Sequence, residues 1–442
     1  MRSIVNQVTK PLIRPFAEFF RLQSASGIIL LVVSVLALLL ANTSVGVARY
    51  FPAIWENTLG VSVGSFRLEK TLTHWINDGL MALFFLVVGL EIKREILEGE
   101  LSTIRQAVLP LAGAFGGMLV PALLFLAVNA DTPTAIGWGI PMATDIAFAL
   151  AILYLLGDRA PLSLKIFLTA LAIADDLGAV AVIALFYTQD LSVSYLIWAG
   201  GIWAVLLLFN WLNVRSLLVY LLLGIVLWYV TLKSGIHATV AGVLLAVSIP
   251  SRIQYSPQQL LKSVHDRLAV INGAIDRVDI QPRDISEELQ ALNTRITSPA
   301  QRLEDILHGP VSFFIIPLFA FCNTSILIDV GLFSQLATPL SLGIMVGLFI
   351  GKPLGIVLLT WLAVQFRLAA LPDGVNWRQL IGVATLAGIG FTMSIFVTLL
   401  AFIGQPDLQE VAKVAILIAS FASGLVGYVL LYQVTSNTAS NQ

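Results

Sequence analysis

Cysteine occurs once in the 442-residue chain, at Cys322, which excludes an intramolecular disulfide framework and any cysteine-based metal site. Charge is scarce as well. Asp, Glu, Lys and Arg make up 12% of the residues, about half the share found in an average soluble domain. With 58% hydrophobic residues, a water-soluble fold could not cover the apolar surface. The formal net charge of −1 leaves no nucleic-acid footprint. Nothing in the composition points to redox chemistry or to a bound cofactor.

What is abundant is hydrocarbon in long blocks. The apolar residues fall in runs of roughly 20, enough to cross a bilayer, separated by short polar breaks. They predict an all-α polytopic membrane protein, a single transmembrane domain over 1–442 with twelve spans. These lie at about 25–42, 72–98, 107–129, 135–157, 163–188, 193–212, 215–233, 235–250, 306–328, 340–364, 378–403 and 411–434. The first block follows a basic arm, 1–24, and reads as an ordinary span with no cleavable signal. With an even count both termini share a side. That side holds nineteen of the 25 Lys and Arg residues, the other five, and Lys352 lies inside a span. The positive-inside rule makes the termini cytoplasmic.

Two connections are long. Residues 43–71 carry alternating and β-branched residues around Gly60 and Gly64 and predict an external β-hairpin, either a subunit contact or a solvated loop. Residues 251–305 are polar, with Leu260, Leu261, Val264, Leu268 and Ile271 on one helical face. They read as a cytoplasmic amphipathic linker. Ser298-Pro299-Ala300-Gln301 supplies an N-cap, a first-turn proline and a capping-box Gln for the helix that enters span nine.

Five acids and one lysine fall within apolar blocks: Asp78 and Glu91 in span two, Asp145 in span four, Asp175 and Asp176 in span five, and Lys352 in span ten. Each costs at least ~2.5 kcal/mol at a helix centre, so each needs a partner, a water-filled cavity or a function. At ~1.5 Å rise per residue, Asp145, Asp175, Asp176 and Lys352 all reach the midplane. A packing salt bridge would account for one acid; three acids against one base leave negative charge that must bind a cation or a proton. Glu91-Ile92-Lys93-Arg94-Glu95 sits at the cytoplasmic end of its span, either a structural ion-pair cluster or a regulatory one. Asp78, near the outer face, reads as a cap.

Span four contains Pro141-Met142-Ala143-Thr144-Asp145, and span eleven contains Gly388 and Gly390 within Ala384–Thr392. Proline removes a backbone donor and paired glycines weaken the helix, so both spans can unwind at mid-membrane. The unwound ends carry partial charges that Asp145 and Lys352 have the signs to neutralise. Each broken span is second in a triplet, three–four–five and ten–eleven–twelve. Four spans intervene, so the second triplet begins seven spans after the first and starts on the opposite side, the mark of an inverted-repeat transporter.

At these residues the chain resembles the NhaA family of sodium/proton antiporters. The resemblance is carried, in order, by Trp75-Ile76-Asn77-Asp78-Gly79, Gly89–Glu95, Ala143-Thr144-Asp145-Ile146-Ala147-Phe148-Ala149, Asp175-Asp176-Leu177-Gly178-Ala179, Ser234-Gly235-Ile236-His237-Ala238-Thr239, Pro317–Phe321, Gly351-Lys352-Pro353-Leu354-Gly355 and Gly388–Ser394. It implies an electrogenic, pH-regulated exchanger of the bacterial inner membrane, exporting Na+ or Li+ against a larger number of H+ and needing no cofactor. Asp176 would bind the ion or proton transiently, with Asp175 as its neighbour, paired to Lys352 in one state. Thr144 and Asp145 would line the crossing of the broken helices. Glu91, Arg94, Glu95, Glu304 and His308 would surround a cytoplasmic funnel and serve the pH response, which His237 would also influence. The external hairpin would support a homodimer. The sequence departs from the family pattern at Asp305, where a histidine is expected, and in the length of the 251–305 loop. Both departures fall in the pH-sensing region.

Two other readings compete with this one. A cation-coupled symporter of an organic solute can share the architecture, but few additional midplane polar residues are present. An intramembrane aspartyl protease would use Asp145 with an acid of span five; Pro121-Ala122-Leu123 fits it, whereas Leu155-Leu156-Gly157-Asp158 lacks the glycine that would complete a Gly-x-Gly-Asp motif.

Overall fold

The computed structural model describes residues 25–43, 47–64, 66–188, 191–252, 297–327, 331 and 335–439. The N-terminal arm 1–24 and the face Leu260–Ile271 lie outside the described residues. All twelve expected segments contain helix. Eight are long and apolar enough to cross a membrane: α1 (Ala25–Asn42), α4 (Ile104–Asn129), α6 (Leu162–Phe186), α7 (Val193–Trp211), α8 (Leu217–Ser234), α10 (Pro299–Asn323), α11 (Pro339–Gln365) and α14 (Pro406–Val434). Two more spans are bent pairs. One joins a 3-10 helix, Pro133–Met142, to α5 (Ile146–Leu155) at 42°, and the other joins α12 (Trp377–Ala387) to α13 (Phe391–Ala401) at 44°. The second span is the π-helical stretch Trp75–Leu80 running into α3 (Met81–Leu97).

The eighth segment departs from expectation. Instead of a span over 235–250 it is the short α9 (Thr239–Ser248), about 15 Å long at the α-helical rise, half the thickness of the bilayer core. Gly235 ends α8 in the left-handed conformation, φ 89°, and the chain makes a turn before α9 begins.

The 43–71 connection is more than a hairpin. A helix, α2 (Val47–Glu56), precedes the antiparallel strands β1 (Thr58–Val63) and β2 (Phe66–Thr71), which pair from Thr58 with Thr71 to Val63 with Phe66. The cap that ends the hairpin is Thr71, whose hydroxyl accepts from His74 N at 3.3 Å; Asp78, expected as a cap, lies further along.

Span nine starts at Pro299, seven residues before the expected boundary, because Ser298 Oγ accepts from Gln301 N at 3.2 Å with proline in the first turn. The reciprocal capping box occurs elsewhere. Asn376 and Gln379 exchange two 2.9 Å bonds that start α12.

The first helices of the two triplets, α4 and α11, cross in close backbone contact. A Cβ on Gly116 would stand 2.1 Å from the Gly355 carbonyl oxygen, and one on Gly355 would stand 2.0 Å from that of Gly116. Only glycine at both positions permits this approach, the membrane counterpart of a small-residue helix interface. The crossing brings Lys352, one turn before Gly355, into the bundle interior beside the two bent spans.

Candidate functional site

The two bent spans meet through their unwound segments. Residues Ala143–Asp145 and Gly388–Gly390 separate the half-helices, and the freed backbone groups of each find partners in the other. Asp145 N donates to Ile389 O at 2.7 Å. The Asp145 carboxylate serves two helix N-termini: Oδ1 accepts from Phe148 N at 3.0 Å, and Oδ2 accepts from Thr392 N at 3.1 Å and from its hydroxyl at 2.5 Å. A negative group at two positive helix ends is the favourable arrangement. Lys352 does the converse. Its ammonium donates to Met142 O at the end of the 3-10 half-helix.

Lys352 is fully buried, and its Nζ lies 2.6 Å from Asp175 Oδ2. The Thr144 hydroxyl reaches the same Oδ2 at 2.7 Å and Ala387 O at 3.0 Å; its single proton serves one of them at a time. Asp175 and Asp176 are 1% and 2% exposed. Oδ1 of each is buried without a hydrogen-bond partner among the described residues. An orphaned buried carboxylate oxygen is costly, and a proton or a small hard cation relieves that cost.

A cavity of about 400 Å³ extends from the loop between spans two and three to Ile173 of α6. Glu91, Arg94, Glu95, Glu98 and Glu100 line its mouth, and Thr169, Ala170 and Ile173 of α6 its inner end. Ile173 is three residues before Asp176, so the two share a face of α6. At the mouth Arg94 bonds Glu304 and lies 3.6 Å from Glu95. His308 is one turn beyond Glu304 on α10.

His237 is not part of this group. It sits at the other end of span two, with Nε2 3.3 Å from Asp78 Oδ1 and Nδ1 2.8 Å from Thr239 Oγ1, its ring edge-on to Phe396. Asp78 thus pairs with a histidine rather than capping a helix.

Several contributors escaped the sequence reading. Tyr187 OH donates to Ile136 O at 2.8 Å and accepts from Gly139 N at 3.0 Å, and Ser394 Oγ donates to Ile140 O at 2.8 Å. With Lys352 they tie down the 3-10 half-helix. Ser420 Oγ accepts from Phe391 N at 3.1 Å. Lys93, read as a member of an ion-pair cluster, donates to Ala246, Val247 and Ile249 carbonyls and closes the C-terminus of α9. Serine and tyrosine within apolar helices give no periodic signal. Only Ser394, one turn after Gly390, was marked by its place beside a break.

Residues 17–431 match the family model described as Na+/H+ antiporter 1. Among curated proteins the chain is 51% identical to the Na(+)/H(+) antiporter NhaA of Oleidesulfovibrio alaskensis, over 95% of this chain and 94% of that one. It is 46% identical to the Na(+)/H(+) antiporter NhaA of Sulfurimonas denitrificans, over 94% and 95% respectively. With the protein of the same name from Helicobacter pylori it shares 44% identity over 96% of each chain.

Proposed function

Since this chain belongs to the Na+/H+ antiporter 1 family and is a secondary transporter exchanging sodium ions for protons, we propose that Asp175 and Asp176 are where the two cations compete. The observation that carries this reading is the pair of buried, unpartnered Oδ1 atoms, within one helical turn of Ile173, where the lining of an acid-rich cavity ends on α6. Carboxylate oxygens are hard ligands for a small hard cation, and the same oxygens take up protons. Sodium arriving through the cavity displaces protons, and protons arriving from the opposite face displace sodium. If the loaded site changes sides and the empty charged site does not, exchange is obligatory.

Asp176 carries the principal exchange. Asp175, held by Lys352 and Thr144, is the neighbour whose pairing changes as the site fills. Two adjacent carboxylates with Lys352 can release more than one proton per sodium bound, which makes exchange electrogenic. Asp145 keeps the broken helices crossed, with Thr144, Pro141, Gly388 and Gly390 giving the crossing its shape.

The pH response belongs to the mouth of the cavity, where Glu91, Arg94, Glu95, Glu304 and His308 gather, and His237 with Asp78 contributes from the far end. The protein resides in a bacterial inner membrane with both termini cytoplasmic, and two copies associate through the open strand edges of 43–71. The geometry at Asp145 speaks against a protease, because both of its oxygens are engaged in capping.

The test is sodium-dependent proton movement in everted vesicles. Asp176→Asn abolishes it, and near-normal exchange by that variant refutes the site.

A further inference from the structure

Away from the ion pathway, a second cavity of about 480 Å³ opens between α1, α5 and α14. Val35, Ile152, Leu155 and Leu425 form its walls, and its floor is Ile389 and Phe391, at the break in span eleven. The groove is dry in character. Ser34 spends its hydroxyl on Leu30 O at 2.6 Å, and Ser420 serves Phe391 N. Its rim faces outward, with Leu155 62%, Phe421 74% and Leu425 55% exposed.

One end of the groove is not apolar. Tyr428 lines it and stacks on Tyr432 at 6.1 Å, and the Arg159 guanidinium lies 4.6 Å above the Tyr432 ring. Arg159 belongs to the short turn Gly157–Arg159 that follows α5, at the membrane surface on the side of the four–five loop.

We propose that this groove and Arg159 form a binding site for one anionic glycerophospholipid, its tail in the groove and its phosphate on the guanidinium. Depth identifies the occupant, because beside the midplane break in span eleven the bilayer offers only hydrocarbon chains. Length agrees. α5 runs ten residues from the break to the surface turn, about 15 Å, the thickness of one leaflet's hydrocarbon. The surface end carries the matching charge, and an arginine guanidinium placed over an aromatic ring keeps its fork of donors for phosphate. A bound tail would pack on Ile389, whose carbonyl receives Asp145 N, so occupancy bears on the crossing of the broken helices.

The experiment is native mass spectrometry of the full-length protein in detergent, titrated with phosphatidylglycerol or phosphatidylcholine of identical chains. Expected for the wild type is one phosphatidylglycerol per chain held roughly fivefold more tightly than phosphatidylcholine, the worth of one basic residue at a membrane surface. Arg159→Gln removes that preference, and Val35→Trp, which fills the groove, weakens both lipids alike. Unchanged phosphatidylglycerol binding by Arg159→Gln overturns the headgroup contact, and unchanged lipid binding by Val35→Trp overturns the groove. Soluble glycerophosphate competing as well as the lipid would show that the tail plays no part, and the proposal would fail.

Discussion

Lys352 and Asp175 form a 2.6 Å ion pair inside the bundle, and the same ammonium closes the 3-10 half-helix at Met142. One side chain therefore compensates both a buried carboxylate and a buried helix end. Lys352→Ala is expected to cost about 3–5 kcal/mol, as for other buried pairs broken on one side. A lower thermal unfolding midpoint in detergent would register it. Lys352→Ala combined with Asp175→Asn should recover part of that loss; strictly additive losses would show that the two residues are not coupled.

Asp145 contributes through acceptor geometry rather than through free charge, since each oxygen holds one helix N-terminus. Asp145→Asn keeps an acceptor for one terminus, whereas Asp145→Ala leaves both uncapped, at about 0.5–2 kcal/mol per lost cap. The alanine variant should be the less stable of the two, by melting and by limited proteolysis at the breaks. Equal stability would remove the capping role.

The contact at Gly116 and Gly355 admits no side chain on either partner. Gly355→Leu is expected to force α4 and α11 apart, displacing Lys352 and abolishing exchange along with most folded protein on size exclusion. Full activity in this variant would contradict the crossing.

The proposed competition between protons and sodium has a definite sign. As pH falls, protons fill the carboxylates, so the apparent KM for sodium rises, by about tenfold per pH unit for each proton displaced. The proposed electrogenic exchange adds a second dependence, since each net charge moved is worth ~2.3 kcal/mol per 100 mV. Proteoliposomes clamped at different potentials and pH values test both. A KM independent of pH would exclude competition, and rates indifferent to voltage would exclude net charge movement.

Much of the fold was legible because membrane insertion depends on local composition. The places of all twelve helical segments, the mid-span position of Asp175, Asp176 and Lys352, and both breaks follow from runs of residues along the chain. The departures arose where local pattern is ambiguous. Thr239–Ser248 is apolar enough for a span but is shortened by the turn at Gly235, and α2 hides inside a segment whose β-branched residues, Val47 and Ile54 among them, are spread over helix and strands alike. The partners of Tyr187, Ser420 and Lys93 lie 29 to 156 residues away in sequence, beyond any local pattern.

The sequence alone decided that the chain lives in lipid and that acids must share the midplane with a lysine, since no other solvent tolerates such hydrophobic runs and hydrocarbon does not tolerate solitary charge. Composition and spacing could not decide which acid takes the lysine; the family resemblance alone named Asp175. Asp175 and Asp176 are neighbours, about 100° apart around a helix, and only the packing of α6 against α4, which α11 also crosses, turns Asp175 toward Lys352. In the same way, only the crossing of the bent spans gives the Asp145 carboxylate two helix ends to hold.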